Sequence, residues 1–196
     1  MNFLAHACLS FNHPQVLIGN MISDFVKGKN QYDYPPLIQS GISLHRNIDA
    51  FTDTHEATKI GKEIFRTDYR LYSGAIMDIV YDFFLANDKT LFDDQSLMKF
   101  TQSVYEVLEK NSFHLPPAFL VMLSYMKKED WLYHYKTNMG IQKSLRGLVR
   151  RSAFLSDHSK AYELFIKYNK ELGDCYDIFF TDVKTFAKRQ FDSLIM

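Results

Sequence analysis

Apolar residues return every three or four positions along almost the whole chain, and no stretch alternates as a strand would. The pattern predicts a short helix over Asn2–Ser10. A second opens at Pro14, where a first-turn proline is tolerated, and runs to Gly28. A polar loop, Asn30–Tyr34, separates it from a helix that starts at Pro35-Pro36 and reaches at least Phe51. Thr54 is placed to cap a helix through Phe65, and Asp68 to cap a long apolar one ending near Asn87. Asp93 or Asp94 opens a helix to Lys110, and Pro116-Pro117 opens one through Lys127. Shorter segments fill Asp130–Tyr135 and Met139–Arg151, and Asp157–Leu172 and Asp174–Leu194 finish the chain. The expectation is an all-α fold, a compact multi-helix bundle, with residues 1–196 forming one domain.

A second signal is charge on helix faces that packing should make apolar. The expected Pro14–Gly28 helix has a stripe of Leu17, Ile18, Met21, Ile22 and Phe25, with Asp24 at its edge and Asn20 one turn before it. In the next helix His45 and Asp49 stand four apart on the face of Ile38 and Ile42. Residues 73–86 are hydrophobic nearly all round, which marks a buried helix, yet Asp78 and Asp82 share one face of it. Two such carboxylates repel, and each is costly to bury without compensation. A shared cation relieves both costs, whereas protonation of one relieves only the repulsion. His6 stands among Phe3, Leu4, Ala5 and Leu9.

Singly, His6 reads more often as a hydrogen-bonded core residue, Asp24 as a lysine partner and Asp78 as a cap of a neighbouring helix. Together, His6, Asp24, His45, Asp49 and Asp82 read as the residues of a metal site within 1–90, with 91–196 supplying supporting helices. Asp78 is then a catalytic residue that orients a ligand or accepts a proton from water. Imidazole and carboxylate donors without thiolate suit Mn²⁺, Mg²⁺, Fe²⁺ or Zn²⁺. Such an ion polarises a phosphoryl oxygen and acidifies water, the chemistry of phosphate-ester hydrolysis. Arg46 and Lys27 are candidate catalytic cations for phosphate oxygens, or else members of a solvated face.

Lys plus Arg equals Asp plus Glu at 23 each, so no net field draws the chain to nucleic acid or an anionic membrane. Electrostatic docking therefore requires a local patch. Lys143, Arg146 and Arg150, with Arg151, form a cationic ridge at helical spacing that is either a substrate-binding surface or a solvated face. Cys8 and Cys175 form no CxxC pair and read as buried thiols of a cytosolic chain. Without a basic-apolar leader or a run of about 18 apolar residues, the expected location is cytoplasmic.

His and Asp residues scattered over successive helices resemble the HD superfamily of metal-dependent phosphohydrolases, so the bundle is expected to be HD-domain-like. The adjacent His-Asp pair of that superfamily is absent, and His45-Arg46-Asn47-Ile48-Asp49 stands in its place. This block is similar to one in a divergent branch, the acyl carrier protein phosphodiesterases. So are Met1-Asn2-Phe3-Leu4-Ala5-His6, Gly19-Asn20, Asp24-Phe25-Val26-Lys27-Gly28, Pro35-Pro36, Gly41-Ile42, Thr52-Asp53, Asp78 and Tyr81-Asp82-Phe83-Phe84-Leu85. The likeness fades after about residue 90, with a weaker block at Trp131-Leu132 and Tyr135. The family usually has a histidine directly after the Asp82 equivalent, where this chain has Phe83; retention of Asp82 favours a supporting role for that histidine.

The resemblance implies hydrolysis of the phosphodiester that joins 4′-phosphopantetheine to a serine of holo-acyl carrier protein, a strongly acidic partner. The products are the apo-carrier protein and free 4′-phosphopantetheine. It further implies Mn²⁺ as the first metal, with Mg²⁺ or Fe²⁺ next. Two other readings stay open: a phosphohydrolase acting on a nucleotide or another small phosphodiester, and a non-catalytic helical binding module.

Overall fold

The computed structural model describes residues 1–195, and among these it contains no strand. Its α-helices are α1 (Phe3–Cys8), α2 (Pro14–Ile22), α3 (Pro36–Thr54), α4 (Glu56–Tyr69), α5 (Ser73–Asn87), α6 (Asp94–Lys110), α7 (Pro117–Lys128), α8 (Trp131–His134), α9 (Asn138–Arg151), α10 (Ser159–Lys167) and α11 (Asn169–Ile195). The all-α expectation therefore holds. No helix among the described residues is long and apolar enough to cross a membrane.

Helix α3 is the organising element, because α2 lies along one side of it and the 27-residue α11 along another. The α2–α3 contact is made close by two glycines. A Cβ on Gly19 would lie 2.0 Å from the Ile38 carbonyl oxygen, and one on Gly41 would lie 2.2 Å from that of Val16. Backbone meets backbone there, so neither side has a flexible group to yield. Gly19→Ala is expected to force the helices apart and to cost more than the roughly 1–3 kcal/mol typical of overpacking. A urea titration measures the loss; a variant with the original midpoint would contradict it.

Helix α5 is the buried one, packed against α1, α4 and α9, with Tyr81 and Asp82 wholly enclosed. Its Tyr81 ring stacks on Phe179 of α11 at 4.4 Å. The apolar stripes of the other helices converge on the same core, in which Leu4, Ile18, Ile42, Phe65, Phe119 and Phe179 are fully shielded.

Several boundaries differ from the sequence pattern, each for a local reason. Helix α2 ends at Ile22 and gives way to a 3₁₀ turn, Ser23–Phe25, so Asp24 stands on a turn. The expected loop Asn30–Tyr34 lies mostly within a 3₁₀ stretch, Gly28–Asp33. His55, not Thr54, caps α4, its Nδ1 accepting from the Ala57 N–H. Asp68 caps nothing: α4 continues past it to Tyr69, and a 3₁₀ turn, Arg70–Tyr72, leads into α5. The last break falls at Tyr168, five residues before Gly173. Gly173 lies inside α11 against the Phe84 ring, which a Cβ there would approach to 3.3 Å.

Candidate active site

The close approach of α2 and α3 places His45 against the end of α2, where its Nδ1 lies 2.7 Å from the Asn20 carbonyl oxygen. Nδ1 therefore carries the hydrogen, and Nε2 turns toward the carboxylates. Asp49, one turn further along α3, has Oδ2 3.1 Å from that Nε2, and Asp24 on the 3₁₀ turn has Oδ1 at 3.3 Å. His6 comes from α1, its ring stacked on His45 at 3.8 Å between centroids and 13° between planes. His6 Nε2 is 3.2 Å from Asp49 Oδ1, yet neither of its buried ring nitrogens has a hydrogen-bond partner. Donor atoms of His6, His45 and Asp49 all lie within 4.8 Å of one another, the separation at which one ion can be shared.

The charges in this cluster are polarised. Burial, with the neighbouring His45 adding to it, pushes His6 down to about 4, so it is neutral at physiological pH. Burial also opposes charge on His45, but Asp24 and Asp49 outweigh it and raise the ring to about 9. Asp49 is held well below the usual carboxylate range, its burial outweighed by His45 and His6. Asp24 is lowered by its bond to His45. Beside Asp49, the Met1 amino group lies 2.9 Å from Asp49 Oδ1 and 3.3 Å from Asp78 Oδ1. Burial raises the Asp78 carboxyl above its ordinary value.

Of the five expected metal-site residues, the structure brings together His6, His45 and Asp49, with Asp24 at their edge. It does not bring Asp82 to them. Asp82 is fully buried and accepts the Leu4 N–H at 2.8 Å and the Ala5 N–H at 3.1 Å. Its two oxygens thus cap α1, whose own N-cap residue, Asn2, makes no side-chain cap bond. The anomaly at Asp78 and Asp82 is accordingly resolved by separate partners, an amino group for one and two backbone amides for the other.

Arg46 is likewise committed elsewhere. Its guanidinium donates to the Val26 carbonyl at 3.0 Å and to Gln31 Oε1, tying the strand of chain after Asp24 back onto α3. It therefore positions the Asp24 turn and does not point at the cluster. Lys27 is exposed and has no ion pair among the described residues. On the α9 ridge, Lys143 is paired with Glu129 at 3.1 Å, while Arg146, Arg150 and Arg151 are exposed. Phe83 faces α10, with its ring 5.0 Å from that of Phe165.

Two residues outside the expected set complete the site. The Asn20 amide, fully buried, donates to the His6 carbonyl at 2.9 Å and to Ser10 Oγ at 3.1 Å, and Ser10 Oγ donates to the same carbonyl at 2.8 Å. Asn20 thus holds His6 through its side chain and His45 through its backbone. The available signal was a polar residue on the inner stripe of α2, next to Gly19.

Packed helices that bring two buried imidazoles together with the partly exposed carboxylate of Asp49 define the class as an all-helical protein with a candidate metal-ligating group. Comparison with known proteins makes it specific. The family model described as "Acyl carrier protein phosphodiesterase" matches residues 1–183. An acyl carrier protein phosphodiesterase of Yersinia pestis is 32% identical over 181 residues, covering 92% of this chain and 94% of its own. One of Photorhabdus laumondii is 31% identical over 164 residues, covering 83% of each, and one of Escherichia coli is 34% identical over 152 residues, covering 77% and 79%. The chain belongs to the acyl carrier protein phosphodiesterase family. No solved structure matches it.

Proposed function

We propose that this chain hydrolyses holo-acyl carrier protein to the apo-protein and 4′-phosphopantetheine, in the cytoplasm, with a divalent cation held by His6, His45, Asp49 and Asp24. The single observation that carries the reading is His6. Burying a ring nitrogen without a partner is costly, and here both nitrogens are buried, with Nε2 directed at Asp49 beside a second imidazole. A neutral imidazole, an imidazole whose other nitrogen is tied to a carbonyl, and an ionised carboxylate are the donor set of an HD-like site. Mn²⁺ is the first candidate, with Mg²⁺ and Fe²⁺ after it. Bound there, the cation would supply Lewis acidity at a phosphoryl oxygen and acidify water.

The chain's own groups do the rest. Asn20 and Ser10 hold His6 in place, and the Asn20 carbonyl keeps His45 in the tautomer that presents Nε2. Arg46 fixes the turn that carries Asp24. Asp78, half-buried and raised by its burial, accepts the proton of the attacking water. As the new P–O bond forms, the bond to the serine oxygen breaks, and the proton taken up by Asp78 passes through solvent to that oxygen, which leaves as the restored hydroxyl. Lys27, free at the edge of the Asp24 turn, screens the phosphate charge.

Incubation of the purified chain with holo-carrier protein and Mn²⁺, read by intact mass, is expected to show loss of the phosphopantetheine group. Unchanged carrier mass over many hours, with Mn²⁺, Mg²⁺ and Fe²⁺ each supplied, would refute the assignment.

A further inference from the structure

A cavity of about 360 Å³ opens where α4 turns into α5, lined by Asp53, Lys62, Arg66, Arg70, Leu71 and Gly74 among others. Its position follows from the helices that build the cluster. Asp53 lies one turn after Asp49 on α3, and Gly74 one turn before Asp78 on α5. One α-helical turn is about 5.4 Å, so the cavity adjoins the carboxylate side of the cluster. Three cations face one carboxylate in it. Lys62 is paired with that carboxylate, Asp53, at 2.8 Å, and Arg66 with Glu63, three residues before it on α4, at 2.9 Å. Arg70 has no ion pair among the described residues.

Arg70 is also strained. Its φ of 47° and ψ of −118° lie in the region that glycine favours, the first central position of a type II′ turn. The same turn presents Leu71 with 97% of its surface exposed. An arginine and a leucine are thus held out beside the cluster at a cost to the backbone.

We propose that this basic cavity is a second subsite of the active site, which binds carboxylate side chains of the carrier protein itself. The inference rests on the function proposed above. The two sides of the scissile diester differ in charge. Beyond its phosphate, 4′-phosphopantetheine carries a hydroxyl, two amides and a thiol, none of them anionic. A cationic cavity therefore has nothing to pair with on that side. The serine side is protein, and its aspartates and glutamates are the anions within reach. Carrier protein accordingly seats over the α4–α5 turn, with Leu71 covering its apolar surface, and the arm leaves the cluster in another direction.

The doubly substituted Arg66→Glu/Arg70→Glu chain tests this by steady-state kinetics on two substrates. Its KM for holo-carrier protein is expected to rise roughly tenfold relative to its KM for bis(4-nitrophenyl) phosphate. That difference should shrink at about 1 M salt, where screening acts within about 3 Å. Arg70→Gly provides the second arm: relief of the strain is expected to raise Tm while KM for the carrier protein still increases. A purely structural Arg70 would not separate those two readouts. The same change toward both substrates, or an unaltered carrier KM in both variants, would overturn the subsite and leave the function intact. If the unsubstituted chain releases no 4′-phosphopantetheine, the proposed function fails and the subsite fails with it. Arg146→Glu/Arg150→Glu serves as the comparison, and a larger carrier-specific KM increase there would move docking to α9 and reject the cavity.

Discussion

Asp49→Ala is expected to lower kcat/KM for holo-carrier protein by at least about 10³-fold, with Mn²⁺ binding lost in parallel. Asp49 alone touches every cationic or neutral-base partner in the cluster: the His6 and His45 rings and the Met1 amino group. Its removal deletes the only carboxylate among the described residues that is common to both histidines. The metal-free protein provides an independent readout. Folded His45 holds its proton to about pH 9, against an ordinary value of 6.5, so folding is favoured by protonation of this ring. That stabilisation is complete below about pH 6.5 and is lost as pH climbs through 9. Without Asp49 only Asp24 supports the charged ring, so the decline should move to lower pH. Thermal melts between pH 6 and 10 in the presence of a chelator would follow it. An Asp49→Ala chain that binds Mn²⁺ normally, or whose melts keep the unsubstituted pH profile, contradicts the assignment.

The parts of this site that sequence reveals are those set by position along one helix. His45 and Asp49 are four apart on α3, and helical geometry alone puts them on one face. The charges on α5 were equally visible as an anomaly, because aspartates do not belong on a helix that is apolar all round. Periodicity could not say how each was compensated. Asp82 meets the amides of Leu4 and Ala5, a partnership between the start of the chain and α5 that no local spacing encodes. Arg46 illustrates the reverse error. An arginine beside a candidate histidine invites a phosphate-binding role, but Arg46 points off the His45 face and is consumed by the Val26 carbonyl and Gln31. The cations of the α4–α5 cavity stayed hidden for a third reason. Lys62 and Arg66 are spaced like the outer face of any amphipathic helix, and only the bend at Arg70 turns that face into a concavity.

Asp82→Ala should produce a different kind of defect from Asp49→Ala, and the difference tests whether Asp82 supports α1 or binds metal. Removing its carboxylate leaves the Leu4 and Ala5 N–H groups buried without acceptors, at about 1–3 kcal/mol each. Part of that cost is offset, because the buried carboxyl is itself unfavourable: burial outweighs the two amide bonds and pushes it up to about 7. A net loss of about 2 kcal/mol is expected, concentrated in α1, whose six residues have no other side-chain cap. Since α1 carries His6, its loosening should weaken Mn²⁺ affinity by roughly 10–100-fold, the range seen when a ligand's support is removed. Excess Mn²⁺ should therefore restore much of the turnover by pulling His6 back into place, and should raise Tm with it. Asp82→Asn should fall between the two, because its amide offers one acceptor to two donors. A lost ligand would behave otherwise: full thermal stability, no rescue by metal, and Asn as damaging as Ala. That second pattern would return Asp82 to the metal site and leave the α1 cap without a functional role.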